Sequence, residues 1–121
     1  MSRRLSLIIV LFILNGCGRD LPLLEGIDLE KWKDDKNGCA GYRQSVEEPL
    51  QKELSQLKGL SEMDIFSLLG KPDQNELYKR NQKFYSYFVT PGPSCPTPDS
   101  LSRKLILRFN AMGYAQAVSI E

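Results

Sequence analysis

The hydrophobic period of this chain changes once, near Asp73, and that change restricts the fold to helices followed by a sheet. Upstream, apolar residues recur at helical spacing. Leu50, Leu54 and Leu57 stand at i, i+4 and i+7, and Gly59 closes the stripe. Ser45-Val46-Glu47-Glu48 reads as its capping box, with Pro49 in the first turn, where a missing N–H costs little. Ser61-Glu62-Met63-Asp64 is a second capping box, and Leu60 and Ile65 form a hydrophobic staple around it. That helix carries Ile65, Phe66, Leu68 and Leu69, stops at Gly70, and has Lys71-Pro72 beyond. Asp28 caps a shorter helix through Leu29–Lys33, and Asn37-Gly38 supplies a turn. Trp32, on that helix, reads as a docked core residue.

Downstream of Asp73 the pattern alternates. Glu76–Arg80 reads as a short strand, with a turn at Asn81-Gln82. Lys83–Thr90 is aromatic and β-branched, a strong strand. The proline-rich stretch 91–100 can join neither helix nor sheet. Leu101–Asn110 alternates again, with Leu101, Leu105, Leu107 and Phe109 on one side. Ala111-Met112-Gly113 turns the chain into a last strand, Tyr114–Ile120. The expectation is an α+β fold: two short N-terminal helices packed on a three- to four-stranded antiparallel sheet. The helices should cover the Leu105/Leu107/Phe109 face.

Residues 1–16 do not belong to that fold. Met1–Arg4 is a short cationic segment, and Leu5–Leu14 is an apolar run of ten, half the length a membrane-spanning helix needs. It ends in Leu14-Asn15-Gly16-Cys17, which resembles the lipobox of bacterial lipoproteins. The resemblance implies a signal peptide over 1–16, removed before a diacylated Cys17. Several acyl chains, each CH₂ worth about 0.8 kcal/mol on transfer, then hold the protein to the membrane without a helix. Residues 17–27 read as lipidated Cys and tether, and 28–121 as a single α+β domain. Gly18 after the Cys points to outer-membrane sorting and a periplasm-facing location in the bacterial envelope.

Arg3 and Arg4 leave with the signal, so 14 Lys and Arg face 15 Asp and Glu in the 105 residues that remain. A nearly neutral chain without basic clusters has no electrostatic footprint for nucleic acid. With Cys17 lipidated, Cys39 and Cys95 remain, and in an oxidising envelope an even pair reads first as a disulfide. A thiol-dependent enzyme is the competing reading, opposed by the absence of any His and of any Cys-x-x-Cys.

Three segments together carry a resemblance: Asp64-Ile65-Phe66-Ser67-Leu68-Leu69-Gly70-Lys71-Pro72-Asp73, Lys83-Phe84-Tyr85-Ser86-Tyr87, and Leu105-Ile106-Leu107-Arg108-Phe109-Asn110-Ala111-Met112-Gly113. Over about residues 60–121 the chain resembles the SmpA/OmlA (BamE-like) family of small outer-membrane lipoproteins. The resemblance implies a β-lactamase-inhibitor-protein-like fold and a non-catalytic adaptor or assembly-factor-like role beside another envelope protein. Leu-Gly-Lys-Pro-Asp also has a purely structural reading as a helix C-cap.

No Gly-rich phosphate loop, nucleophile elbow, metal-ligand cluster or cofactor motif is present. Asp34-Asp35 and Glu47-Glu48 are neighbours that diverge on a helix, not carboxylate dyads. The candidates for recognition are therefore aromatic: Tyr78, Tyr85 and Tyr87, with Tyr114, as a protein-binding face of the sheet. Tyr85 and Tyr87 share one face of their strand, Phe84 and Phe88 the other. Either one set lies exposed, or both are covered, one by the helices and one by the N-terminal segment through a Cys39–Cys95 link. A lipid-anchored inhibitor or small-ligand binder using the same sheet is the alternative function.

Lipidation is testable directly. Intact mass of membrane-extracted protein should show the acyl increment on a chain beginning at Cys17, and Cys17→Ser should release the protein from the membrane fraction. Undiminished membrane binding of that variant would refute the anchor.

Overall fold

The computed structural model describes residues 21–78 and 82–121. The signal segment, Cys17, the first part of the tether and the turn expected at Asn81 lie outside the described residues. Among the described residues, four α-helices precede a four-stranded antiparallel sheet: α1 (Leu29–Asp34), α2 (Tyr42–Ser45), α3 (Glu47–Leu57), α4 (Glu62–Leu69), then β1 (Gln74–Tyr78), β2 (Gln82–Phe88), β3 (Lys104–Phe109) and β4 (Ala115–Ile120). The strands run in the order β1-β2-β3-β4, a plain meander. The α+β class with helices N-terminal to strands is as expected; beside the expected pair α3 and α4 stand α1, the short helix expected after Asp28, and α2, which the sequence reading does not contain.

Local chemistry explains most starts and stops. The Asp28 carboxylate accepts from the N–H groups of Glu30 and Lys31 and caps α1. Ser61 and Asp64 form a reciprocal capping box at α4. The box expected at Ser45 does not form. Val46, not Ser45, precedes α3, and it makes no side-chain cap. The reason is the turn upstream: α2 runs into α3, so the Ser45 N–H that Glu48 would have to reach is already bonded to the Gly41 carbonyl. The Ser45 hydroxyl donates back to Tyr42 instead.

The core forms between the helices and one sheet face. β2 pairs β3 with Tyr85 opposite Leu107 and Tyr87 opposite Leu105, so all four side chains point the same way. Leu105, Leu107 and Phe109 are fully buried there against Leu50, Leu57, Ile65, Leu69 and Trp32. Leu101 does not continue that row; it lies before β3 and is exposed. The tether is shorter than its composition suggests, because Leu24 is buried in the core and Ile27 packs against it.

The N-terminal helices are fixed to the sheet by a buried polar hub. The Arg43 guanidinium, 1% exposed, donates through Nη1 to Asp73 Oδ2 at 2.7 Å and to the Phe88 carbonyl at 3.2 Å. Its Nε donates to the Trp32 carbonyl at 3.0 Å, and its plane lies 4.7 Å from the Trp32 ring centre. Asp73 also accepts from the backbone N–H of Phe88 and of Asn37. Asp35, equally buried, takes the N–H groups of Ala40 and Arg43. Beside this hub Cys39 is disulfide-bonded to Cys95, with Cα atoms 5.3 Å apart. Closing that loop restricts the unfolded chain by roughly 4 kcal/mol in the chain-entropy account.

Removing one member of a buried ion pair leaves the other charge without compensation, a cost of about 3–5 kcal/mol. Asp73→Ala should be the worse case, since two backbone donors lose their acceptor as well. Urea denaturation of Asp73→Ala and Arg43→Met should show losses of that size, and a loss below about 1 kcal/mol would contradict the hub's role.

Candidate functional site

Register decides the fate of the aromatic residues. Because Tyr85 and Tyr87 share a face with Leu105, Leu107 and Phe109, they lie under the helices, 8% and 0% exposed. Tyr85 meets Phe109 edge to face at 4.7 Å, and Tyr87 lies 6.2 Å from Trp32. Each hydroxyl finds an acceptor on α4 or its end: Tyr85 donates to Glu62 at 3.0 Å, Tyr87 to the Gly70 carbonyl at 2.7 Å. Neither tyrosine is available to a partner, so the expected recognition face on Tyr85 and Tyr87 is corrected: those residues hold the helices to the sheet. Tyr78 pairs with Gln82 at the end of β1, and its side chain lies outside the described residues.

The opposite face carries Phe84, Ser86 and Phe88. Phe88 is covered by the proline-rich loop, whose Gly92 approaches so closely that an added Cβ would stand 2.9 Å from the ring. The Lys104 ammonium lies 5.6 Å from that ring's centre. The Cys39–Cys95 bond, with the Gly92 N–H donating to the Asn37 carbonyl, ties the same loop to the N-terminal segment.

Four of the eight exposed large apolar side chains among the described residues gather instead at one end of the domain. Met63 and Phe66 stand at i and i+3 on the face of α4 opposite Ile65, Leu68 and Leu69, 77% and 50% exposed. Met112 and Tyr114, 80% and 42% exposed, flank Gly113 in the turn between β3 and β4. The two elements are joined there: the Glu62 N–H donates to the Gly113 carbonyl, and Ser61 forms a bridge with Tyr114. The helix start and the β turn thus present two Met, one Phe and one Tyr together. Met and aromatic side chains are common in protein-binding surfaces, where flexible or amphipathic apolar groups fit uneven partners.

The sequence held part of this signal. Phe66 was counted among the apolar residues of its helix, yet a rotation of 100° per residue carries it off the Ile65/Leu68/Leu69 stripe. Met112 and Tyr114 carried none, because only the docking of α4 onto the turn brings them beside Met63. A second surface feature lies near α1, where Lys33, Lys36 and Lys71 line a cleft of about 240 Å³ with Asn37, Pro72 and Asp73. The Asp73 charge is already matched by Arg43, so the cleft is left positive.

Among the described residues, no group of three or more His, Cys, Asp or Glu is arranged to hold a metal ion. Cys39 and Cys95 are spent on each other. No helix among the described residues is long and apolar enough to cross a membrane. Set against known proteins, the chain matches no family profile, no curated protein and no solved structure.

Burial, helped by the hydrogen bond to Glu62, pushes the Tyr85 phenol up to about 12, and burial raises Tyr87 above its ordinary value too. For an acid held neutral by the fold, the stabilisation is complete below the unfolded value near 10 and fades as pH climbs toward 12. Absorbance titration should therefore leave the Tyr85 and Tyr87 phenols un-ionised at about pH 11 until the protein unfolds. Ionisation of Tyr85 and Tyr87 near pH 10 in the folded protein would place them outside the core.

Proposed function

We propose that this chain is a membrane-anchored bacterial lipoprotein that acts as a non-catalytic adaptor, or outer-membrane assembly-factor-like binding module, for another envelope protein. The observation that carries the reading is the exposed cluster of Met63, Phe66, Met112 and Tyr114, four apolar side chains on two elements joined by hydrogen bonds. In this reading Cys17 carries the lipid, residues 18–23 span the gap to the domain, and the α4/β-turn end is the docking surface. The resemblance of residues 60–121 to the SmpA/OmlA family points to the same role, and the outer membrane facing the periplasm is the location it suggests.

An adaptor of this kind works by geometry. The buried Leu, Tyr and Trp side chains make one rigid body of helices and sheet, so the apolar cluster is presented at little conformational cost on binding. Removing a central aromatic from such a surface costs 2 kcal/mol or more, about thirtyfold in affinity. Phe66→Ala is the decisive variant because Phe66 is half exposed and its loss should spare the core.

A photo-reactive residue at position 66, in cells, should cross-link one envelope protein, while the same residue at the exposed position 101 should not. Phe66→Ala should then lower co-purification of that protein about tenfold or more while melting temperature is held. Identical cross-linking patterns at the two positions would argue against a docking surface here.

A further inference from the structure

Strand β4 is an outer strand of the sheet, and the second half of its outer side pairs with no strand among the described residues. The pair Lys104–Glu121 exchanges both backbone hydrogen bonds, at 2.7 and 2.9 Å, and Ile106 and Arg108 stand opposite Ser119 and Ala117. In an antiparallel ladder the bonded positions alternate, so the N–H and C=O groups of Val118 and Ile120 point away from β3. They have no backbone partner among the described residues. The start of β4 is closed, because Ala115 exchanges hydrogen bonds with Gly59 and Leu60. The open stretch is therefore Ala117-Val118-Ser119-Ile120-Glu121.

Natural sheets guard such an edge with charge, proline or a covering segment. Residues 117–120 have no charge and no proline. The opposite edge differs: β1 carries exposed Glu76 and is followed in the chain by Lys79 and Arg80.

We propose that β4 pairs antiparallel with β4 of a second copy of this chain, about a twofold axis at Ser119, to make one continuous eight-stranded sheet. This register matches the two open positions to each other: Val118 bonds to Ile120 of the second copy, and Ile120 to its Val118, four N–H···O bonds in all. On the core side, Val118 and Ile120 are half-buried with Leu54 of α3 at the margin of the core, so pairing extends an apolar row that is otherwise cut off. On the outer side, small residues meet at the axis, Ser119 beside Ser119 of the second copy.

Charge favours the same occupant. Ala117 stands opposite Glu121 of the second copy, and Arg108 flanks Ala117 on the other side. Only a methyl group separates that carboxylate from the Arg108 guanidinium. Arg108 makes no ion pair among the described residues, and its Nε is buried without a hydrogen-bond partner. The Glu121 carboxylate accepts from the Ser119 hydroxyl and makes no ion pair among the described residues. A twofold operation supplies this cation–anion match twice, which a strand of arbitrary sequence would not. The contact is smaller than a standard interface of about 1,200–2,000 Å², so the association is weak and reversible.

Full-length protein in detergent provides the test. Ser119→Cys places two thiols at a non-bonded pair, with Cα atoms about 4.5 Å apart, inside the range a disulfide spans. It should yield a reducible dimer whose linked peptide maps to position 119, while Ala117→Cys, which faces position 121, stays monomeric. Glu121→Arg should lower the cross-linked yield about fivefold or more, and Arg108→Glu with Glu121→Arg should restore it. No dimer from a normally melting Ser119→Cys protein, or equal cross-linking at 117 and 119, overturns the proposal. A heterologous strand bound on β4, with this protein monomeric by itself, overturns it as well. The outcome is independent of the docking surface at Phe66, which lies on α4.

Discussion

The ion pair between Arg43 and Asp73 is the point on which the rest of the domain depends. Two opposite charges 2.7 Å apart, with side chains 1% and 4% exposed, survive in an apolar interior only because neighbouring donors and acceptors complete them. Arg43 belongs to the single-turn helix α2, and Asp73 stands just before β1. Through the carbonyls of Trp32 and Phe88 and the N–H groups of Asn37 and Phe88, this one pair joins α1, the 35–43 turn and the end of β2. Helices and sheet would otherwise meet only through non-directional apolar contact, which fixes a distance better than an angle.

Around the hub the backbone is drawn in tightly. Asn37 and Gly38 both adopt left-handed conformations, and a Cβ on Gly38 would stand 2.9 Å from the Phe88 carbonyl oxygen. The turn can therefore lie directly on the end of β2, and the next residue, Cys39, reaches Cys95 in the proline-rich loop. Disulfide and ion pair act on different states. The first narrows the unfolded ensemble, whereas the second sets the native arrangement. Together they let a chain with few long elements hold α1, α2 and the 91–100 loop, none of which would be stable alone.

A rigid body built this way leaves function to its surfaces. Tyrosines that would suit an interface are used as struts, Tyr85 to Glu62 and Tyr87 to the Gly70 carbonyl. One group of exposed apolar side chains lies where α4 meets the β3–β4 turn, and one open, uncharged stretch of strand edge lies along β4. Both belong to the half of the chain after residue 60, while the residues before it serve mainly to brace the fold. Lipid attachment at Cys17, proposed from the sequence, would put the brace nearer the membrane in sequence and the two surfaces farther along the chain.

The sequence by itself determined what short-range chemistry can determine. Caps at Asp28 and Ser61, the stop at Gly70 and the alternating strands follow from neighbours a few residues apart, and the Cys39–Cys95 pairing from setting Cys17 aside as the proposed lipid site. The false cap at Ser45 shows the limit, since a helical turn just upstream had already satisfied the Ser45 N–H. Tertiary structure decided the rest. Nothing local distinguishes Arg43 from a solvated arginine, or gives Asp73 a role beyond following a helix stop. Nothing local says which face of β2 the helices will cover. That choice comes from register: a slip of one residue would exchange Tyr85 and Tyr87 for Phe84 and Phe88 and turn the core outward. Alternation along a strand defines two faces, but only the partners across the sheet and beneath it assign one to the interior.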